Sequence, residues 1–571
     1  MKIEVRDIPP RAAWALEQAG VHPLLARLFA ARGVASHEEL DINLARLLPP
    51  SGLRGTQEAA VLLADAIAAG QKLCIVADYD CDGATACAVG LRGLKLLGAT
   101  DVDYLVPDRV VDGYGLTAPI AERVAARNAD VLITVDNGIA SMEGVAAARA
   151  AGLKVLVTDH HLPGAELPGA DVIVNPNQPE CTFESKSIAG VGVMFYVLMA
   201  LRAELRARGA FDGPNGQPKL DALLPLVALG TVADVVRLDA NNRRLVAQGL
   251  RRIRAGHLPA GLSALFSAAG RDPAKANTFD FGFALGPRIN AAGRLADMTL
   301  GIELLITDDA GRAAELAATL DGINRERREI EGGMRDHAMQ MAESLFDPED
   351  NEPPTALCVF DPEFHEGVVG IVASRLKDKL HRPTFVFAAS GAPGREHELK
   401  GSGRSIPGFH LRDALDLVAK RHPGVLLKFG GHAMAAGCTI AEEHFDVFEQ
   451  ALQEVAAEWL DAATLTRRLA TDGPLAPEYR RPDMIETLHR EVWGQGFAPP
   501  VFSEEVEVVS QRLVGERHLA LKLRHQGQAV DGIWFGRSEP LPARVLLAFR
   551  LEADEWQGVR RVRFLVEGAE F

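Results

Sequence analysis

KLCIVADYDCDG, residues 72 to 83, sets an apolar β-forming run directly against three carboxylates, Asp78, Asp80 and Asp82, at alternate positions. The run reads as a strand entering a core, and ordinary strand ends do not carry so much like charge. The segment behind it, ATACAVGLRGLKLLG (84 to 98), is alanine-rich and reads as a helix ending at Gly98. The alternation then repeats: VDYLVP as strand, TAPIAERVAARN as helix, DVLITV as strand, SMEGVAAARAAG as helix and KVLVT as strand. That succession predicts a parallel sheet covered by helices. In such a sheet the carboxyl ends of the strands share one edge, where ligands bind. Three strands end there in VADYDCD, in VDNG with Asp136, and in TDHH with Asp159, His160 and His161, so these side chains are expected to converge.

Converged carboxylates raise one another's pKa or require a cation. A divalent metal is therefore expected. Carboxylates with one or two imidazoles and no thiolate suit Mn²⁺ or Mg²⁺ better than a zinc site. The surplus of carboxylates over one ion points to two divalent ions, with Asp136 on the middle element as the candidate bridge. A pair of bridged ions suits phosphoester hydrolysis. Each motif alone has another reading: DYDCDG as a calcium-loop fragment or helix cap, VDNG as a hairpin or cap, and the histidine pair as structural. Their combination at successive strand ends favours the metal.

The 571 residues exceed one core and suggest three or four units. With 47% hydrophobic residues and no apolar stretch long enough for a bilayer, a soluble globular protein without a membrane partner is expected. The start, MKIEVRDIPPRAAW, lacks a secretory apolar run, which places the protein in the cytoplasm by expectation. Six cysteines (Cys74, Cys81, Cys87, Cys181, Cys358, Cys438) without CxxC spacing argue against a disulfide framework or structural zinc. A net charge of −16 opposes phosphate binding on average, yet arginine clusters at 243 to 254, 324 to 328 and 559 to 564 leave room for a basic channel.

Along the rest of the chain, 187 to 208 and 220 to 236 are apolar with helical periodicity. Residues 301 to 346 read as a long connector helix, interrupted at best by Gly332 and Gly333. DPEDNEPPT (347 to 355) is a break, and TALCVFD opens a second α/β unit running to 458. Beyond it, five short alternating runs predict a small barrel of the oligonucleotide-binding (OB) type. The expected partition is an N-terminal segment 1 to 55, a catalytic domain 56 to 300, the connector 301 to 346, the second α/β domain 347 to 458 and the barrel domain 459 to 571.

These residues match a known pattern. Through VADYDCDG, TVDNGI, VTDHH, ALGTVADVV, GPRINAAGRL, FHEGVVGIVASRL, KGSGRS and FGGHAMAAG, the chain resembles the RecJ family of bacterial single-strand-specific DNA exonucleases. That family lies within the DHH phosphoesterase superfamily, named for the triplet Asp159-His160-His161. The likeness covers nearly the whole chain and implies a parallel-sheet DHH domain, a DHH-associated domain and a terminal OB fold. It implies metal ligands at Asp80, Asp82, Asp136, His160 and Asp234, with Asp136 bridging and Asp78 and Asp159 beside the site. It also implies that His161 lies next to the scissile phosphate, catalytic together with Asp136. Val76 stands where other superfamily members carry histidine, so the first ion is expected to be held by fewer protein atoms and more weakly. Phe364 stands where the motif often has tryptophan, which keeps an aromatic surface.

The same resemblance suggests phosphate or strand contacts at Arg109, Tyr114, Arg288, Asn290, Ser402, Arg404 and His432. For Arg288 and Arg294, bracing the connector helix is an equal alternative. FGGHAMAAG and KGSGRS are expected to be glycine loops that let backbone N–H groups approach phosphate. Degradation from 5′ to 3′, a steric groove excluding duplex DNA, and a helicase and a single-strand-binding protein as partners of a monomer are further family expectations. The alternatives are a DHH phosphodiesterase of short oligonucleotides or cyclic dinucleotides, and a silent DNA-binding scaffold, which would lack metal ligands.

Overall fold

Five strands, every one parallel to its neighbours, carry the quoted stretch. Their order is Val102–Leu105, Leu73–Ala77, Val131–Val135, Lys154–Thr158 and Val172–Val174. Leu73–Ala77 and Val131–Val135 are buried at every position, as strands covered on both faces must be. The chain runs outward one way from the Leu73 strand and the other way from the Val131 strand. This reversal opens a crevice at their carboxyl ends.

The computed structural model describes residues 1–109, 111–344, 354–556 and 559–571. They pack as two units, Val5–Gly322 with Ala470–Phe571, and Met1–Glu4 with Ile323–Leu469. In the first unit, helices Cys81–Leu96, Gly190–Ala207 and Leu224–Ala233 pack closely through glycines. A Cβ on Gly93 would lie 2.2 Å from Leu198, and one on Gly230 would lie 2.1 Å from the Thr85 hydroxyl. The predicted barrel is present and closed, formed by Phe502–Val514, His518–His525, Gln528–Phe535, Arg544–Trp556 and Val559–Glu570. Leu519, Leu521 and Leu523 alternate inward along one strand, and closure leaves no free edge. The N-terminal segment is tied to residues just before the barrel: the Arg32 guanidinium grips both oxygens of Asp472 at 2.8 and 3.0 Å, and Phe29 packs on Trp493 and Phe497.

Three expectations change. The stretch from 301 is two helices, Thr299–Ile306 and Ala310–Ser344, because Asp309 accepts the Arg312 N–H at 2.6 Å and starts the second one afresh. Gly332 and Gly333 stay helical, and the expected break at 347 to 355 falls almost wholly outside the described residues. KGSGRS is no loop. It lies mostly in the strand Glu398–Arg404, in the order Leu426–Gly431, Ala435–Ala441, Glu398–Arg404, Thr384–Ala389, Leu357–Phe360. Its glycines make room for rings, since a Cβ on Gly401 or Gly403 would sit 2.3 or 2.4 Å from Phe387 or Phe385. FGGHAMAAG is a hairpin between the first two of those strands, closed by the His432 N–H on the Ala435 carbonyl at 2.8 Å.

Several arginines of the clusters that left room for a basic channel are engaged within the fold. Arg243 lies over Phe497, Arg244 donates to the Asp41 carbonyl, Arg252 to Asp221 and Arg254 to the Ala276 carbonyl. Arg327 pairs with Glu331, Arg560 with Glu486 and Arg563 with Glu552.

Candidate metal centre

Four local features place the acidic side chains. Asp80 caps helix Cys81–Leu96, accepting the Gly83 N–H at 2.9 Å. Asp82, in the first turn of that helix, reaches the start of helix Gly190–Ala207, where the N–H groups of Gly190 and Val191 donate to its oxygens at 2.7 and 2.8 Å. A helix N-terminus thus holds a buried carboxylate, using donors that otherwise lack partners. Asp136 follows its strand at φ +61°, a left-handed conformation costing about 1–2 kcal/mol for a residue with a Cβ. Strain of this kind gathers at functional sites. Asp234 ends helix Leu224–Ala233 and precedes Val235, also at φ +61°.

These elements converge on His160. Its Nε2 lies 3.0 Å from Asp136 Oδ1, 3.4 Å from Asp234 Oδ2 and 3.8 Å from Asp82 Oδ2. Asp136 Oδ1 and His160 Nε2 are both buried, yet neither is in hydrogen-bonding geometry with any partner. Among the described residues, three groups present ligand atoms within 4.8 Å of one another: Asp82 with His160 and Asp234, Asp78 with Asp80 and Asp136, and Asp136 with His160 and His161. Asp136 belongs to two of them. Burial, and then the neighbouring carboxylates, push Asp82 up to about 7 and hold Asp78, Asp136 and Asp234 well above the usual carboxylate range. Burial and the nearby His161 drive His160 down to about 4, leaving it neutral, the form in which imidazole binds metal. Orphaned donor atoms, mutually repelling carboxylates and a neutral imidazole fit hard divalent cations.

His161 differs from its neighbour. Burial opposes its charge, but Asp159, 2.7 Å from its Nδ1, outweighs that and raises it to about 9. Asp159 is itself buried, which would raise it, yet His161 brings its carboxyl below the usual range. Its other oxygen accepts the Ile139 N–H at 3.0 Å. Asp159 thus favours the cationic form of His161 at the rim. The Asp159→Asn variant should lose this anchor and slow turnover by about 10- to 100-fold, measured as kcat on a single-stranded oligonucleotide.

The expected substrate residues fall into three settings. Arg109 lies over the Tyr79 ring at 4.4 Å with its Nε buried and without a hydrogen-bond partner. Tyr114 is half exposed, and its hydroxyl donates to the Asp136 carbonyl at 3.1 Å and lies 3.3 Å from His161 Nδ1. Arg288 faces inward, whereas Asn290 is half-buried. Arg288 is 8% exposed, donating to the Ala284 carbonyl at 2.6 Å and to Asp321 on the long helix at 3.0 Å. This is the bracing alternative. Arg288→Ala should therefore lower stability by about 2–4 kcal/mol, seen in denaturant unfolding, with little change in KM. Asn290 accepts the Cys81 N–H at 2.8 Å and so holds the Asp80–Asp82 turn. Ser402, Arg404 and His432 belong to the other unit, where Ser402 pairs in register with Val386 and Gly437.

Comparison with known proteins finds three matching stretches. Residues 72–231 match the DHH family N-terminal domain, 354–458 the DHHA1 domain and 471–568 the RecJ OB domain. The single-stranded-DNA-specific exonuclease RecJ of Escherichia coli is 46% identical over 558 residues, 96% of each chain. The chain belongs to the RecJ family. The RecJ of Thermus thermophilus is 35% identical over 563 residues, covering 97% of this chain and 76% of that one. A crystal structure of the Thermus thermophilus RecJ in complex with Mn²⁺ superposes with a TM-score of 0.83 at 32% identity, covering all of this chain and 79% of that one.

Several residues of this RecJ-family site are not signalled by any acidic or histidine motif. Gly190 lies so close to Asp136 that a Cβ would meet its Cβ at 2.6 Å, and with Val191 it grips Asp82. Asn175 and Asn177 donate to the backbone carbonyls of His161 and His160 at 2.9 and 2.6 Å. Asn137 ties the Val76 and Val135 carbonyls at the crevice, at 3.1 and 2.9 Å. The signal available was NPN (175 to 177) following a short apolar run, and AGVGV (189 to 193) opening an apolar helix.

Proposed function

We propose that this protein is a metal-dependent exonuclease of single-stranded DNA that removes nucleotides from the 5′ end. The observation carrying the reading is the Asp136–His160 pair: buried ligand atoms without hydrogen bonds, at the crevice of a RecJ-family chain. Asp80, Asp82, Asp136, His160 and Asp234 would hold two Mn²⁺ or Mg²⁺ ions, with Asp136 shared and Asp78 alongside. Bound ions of this kind supply Lewis acidity and lower the pKa of water toward neutrality. This chain's own part is positional and electrostatic. Helix Gly190–Ala207 fixes Asp82, Asp159 favours the cationic form of His161, and His161 stabilises charge developing on a non-bridging phosphate oxygen.

Arg109, with its buried unpartnered Nε, is the first candidate for a terminal phosphate, and Tyr114 is placed by its hydroxyl as much as by its ring. Ser402, Arg404 and His432 serve as phosphate contacts in the same reading. Six free cysteines suit a reducing cytoplasm, where we place the protein as a monomer acting with a helicase and a single-strand-binding protein. Hydrolysis of only short oligonucleotides or cyclic dinucleotides is not favoured, because the exonuclease relatives match along the whole chain, barrel included.

Timed digestion of end-labelled single and double strands with Mn²⁺ or Mg²⁺ tests the proposal. Metal-dependent loss of the 5′ label from single strands alone is the expected result. Equal degradation of duplexes, or none with either ion, would overturn it.

A further inference from the structure

We infer that Phe279 and Phe283 form a base-stacking platform for the single strand, next to the metal centre; the inference rests on the exonuclease reading above. The two rings stack on each other, 4.5 Å apart at 23°, and are 45% and 65% exposed. Single exposed apolar side chains are ordinary, but two stacked aromatic rings left in water are not. They sit on or just before a π-helical segment, Asp280–Leu285, which continues directly into helix Gly286–Leu295. Such π turns are uncommon and recur at functional sites.

Position favours a nucleic-acid occupant. Gly282 lies against Val232, and Gly286 against Ala233, the residue before Asp234. Farther along, Asn290 accepts the Cys81 N–H, and Gly293 packs so tightly on the Tyr79 carbonyl that a Cβ would be 1.9 Å from it. The side of this segment that keeps solvent access runs Phe279, Phe283, Pro287, Asn290, at helical spacing, while Phe281, Leu285 and Ile289 are buried. One open face thus leads from the aromatic pair to the turn bearing Asp80 and Asp82. The rise of a helix puts Phe283 about 10 Å from Asn290, within reach of the first few nucleotides of a bound strand. Every base offers a π-face, so a platform of this kind holds any sequence.

The test compares wild type with a Phe279→Leu/Phe283→Leu double variant, and with Phe283→Trp, in the Mn²⁺-loaded enzyme. KM is measured on oligothymidylates of about three and about twelve nucleotides, and 2-aminopurine fluorescence is read at successive positions of the longer strand. For the double variant we expect KM on the longer strand to rise about tenfold, with kcat held within about twofold, and stacking quench at one internal position to disappear. Phe283→Trp should keep both as in wild type. Unchanged KM and unchanged quench in a folded double variant would overturn the inference, as would loss of kcat alone. So would a wild type that shows no quench and a variant impaired only with a protein partner added, since the pair would then be a protein-docking surface. If wild type itself fails to degrade single strands, the exonuclease reading fails instead.

Discussion

Replacing Asp136 by asparagine will abolish Mn²⁺-dependent hydrolysis of single strands while leaving the fold intact. Asp136 is shared by two of the three ligand groups, and its Oδ1 faces His160 with no hydrogen bond. Removing one carboxylate should therefore weaken both cation positions together. Metal-ion stabilisation of a phosphoryl displacement amounts to several kcal/mol, so the expected loss is about a thousandfold or more in kcat/KM. Stability should move the other way in the metal-free protein. Burial and the repulsion of Asp82 and its neighbours hold the Asp136 carboxyl far above its ordinary range, and a neutral amide relieves that repulsion. The variant should melt no lower than wild type in a chelator, and should lose the rise in Tm that Mn²⁺ gives wild type through preferential binding to the folded state. Near-normal degradation with Mn²⁺ would remove Asp136 from the centre.

Gly190→Ala will also cost much of the activity, without replacing an ionisable group. The added methyl would sit 2.6 Å from the Asp136 Cβ and 2.7 Å from its Oδ1. Either the carboxylate or the helix must move, and the same helix start donates the N–H groups that fix Asp82. A displacement near 1 Å at a reacting centre can slow turnover by about a hundredfold, and overpacking destabilises by about 1–3 kcal/mol. Both kcat and apparent Mn²⁺ affinity should fall, read by turnover against metal concentration. A variant with wild-type metal affinity would mean that helix Gly190–Ala207 supports the fold only.

The architecture was largely legible because its signals are local. An apolar five-residue strand, an alanine-rich helix and a charged junction repeat with short spacing, and period-2 alternation marks the barrel strands such as His518–His525. The convergence of Asp80, Asp136 and His160 followed from one topological rule about parallel strand ends. What escaped was decided by partners distant in sequence. Arg243 and Arg252 look like a basic run, but Phe497 and Asp221 claim them, and no spacing rule reveals that. Gly401 and Gly403 suggest a phosphate loop until Phe387 and Phe385 fill the space a Cβ would take. The helix restart at Asp309 was a capping signal that the run of helix-forming residues around it obscured. Gly190 carries no chemistry of its own, so its role follows only from the 2.6 Å approach to Asp136.

Anomalous diffraction from crystals of this protein grown with Mn²⁺ tests the central claim most directly. The expected map has one peak bounded by Asp82, Asp136, His160 and Asp234 and a second bounded by Asp78 or Asp80 and Asp136. Manganese bound only elsewhere, with Asp136 and His160 still facing each other at 3.0 Å and nothing between the carboxylates, would contradict it.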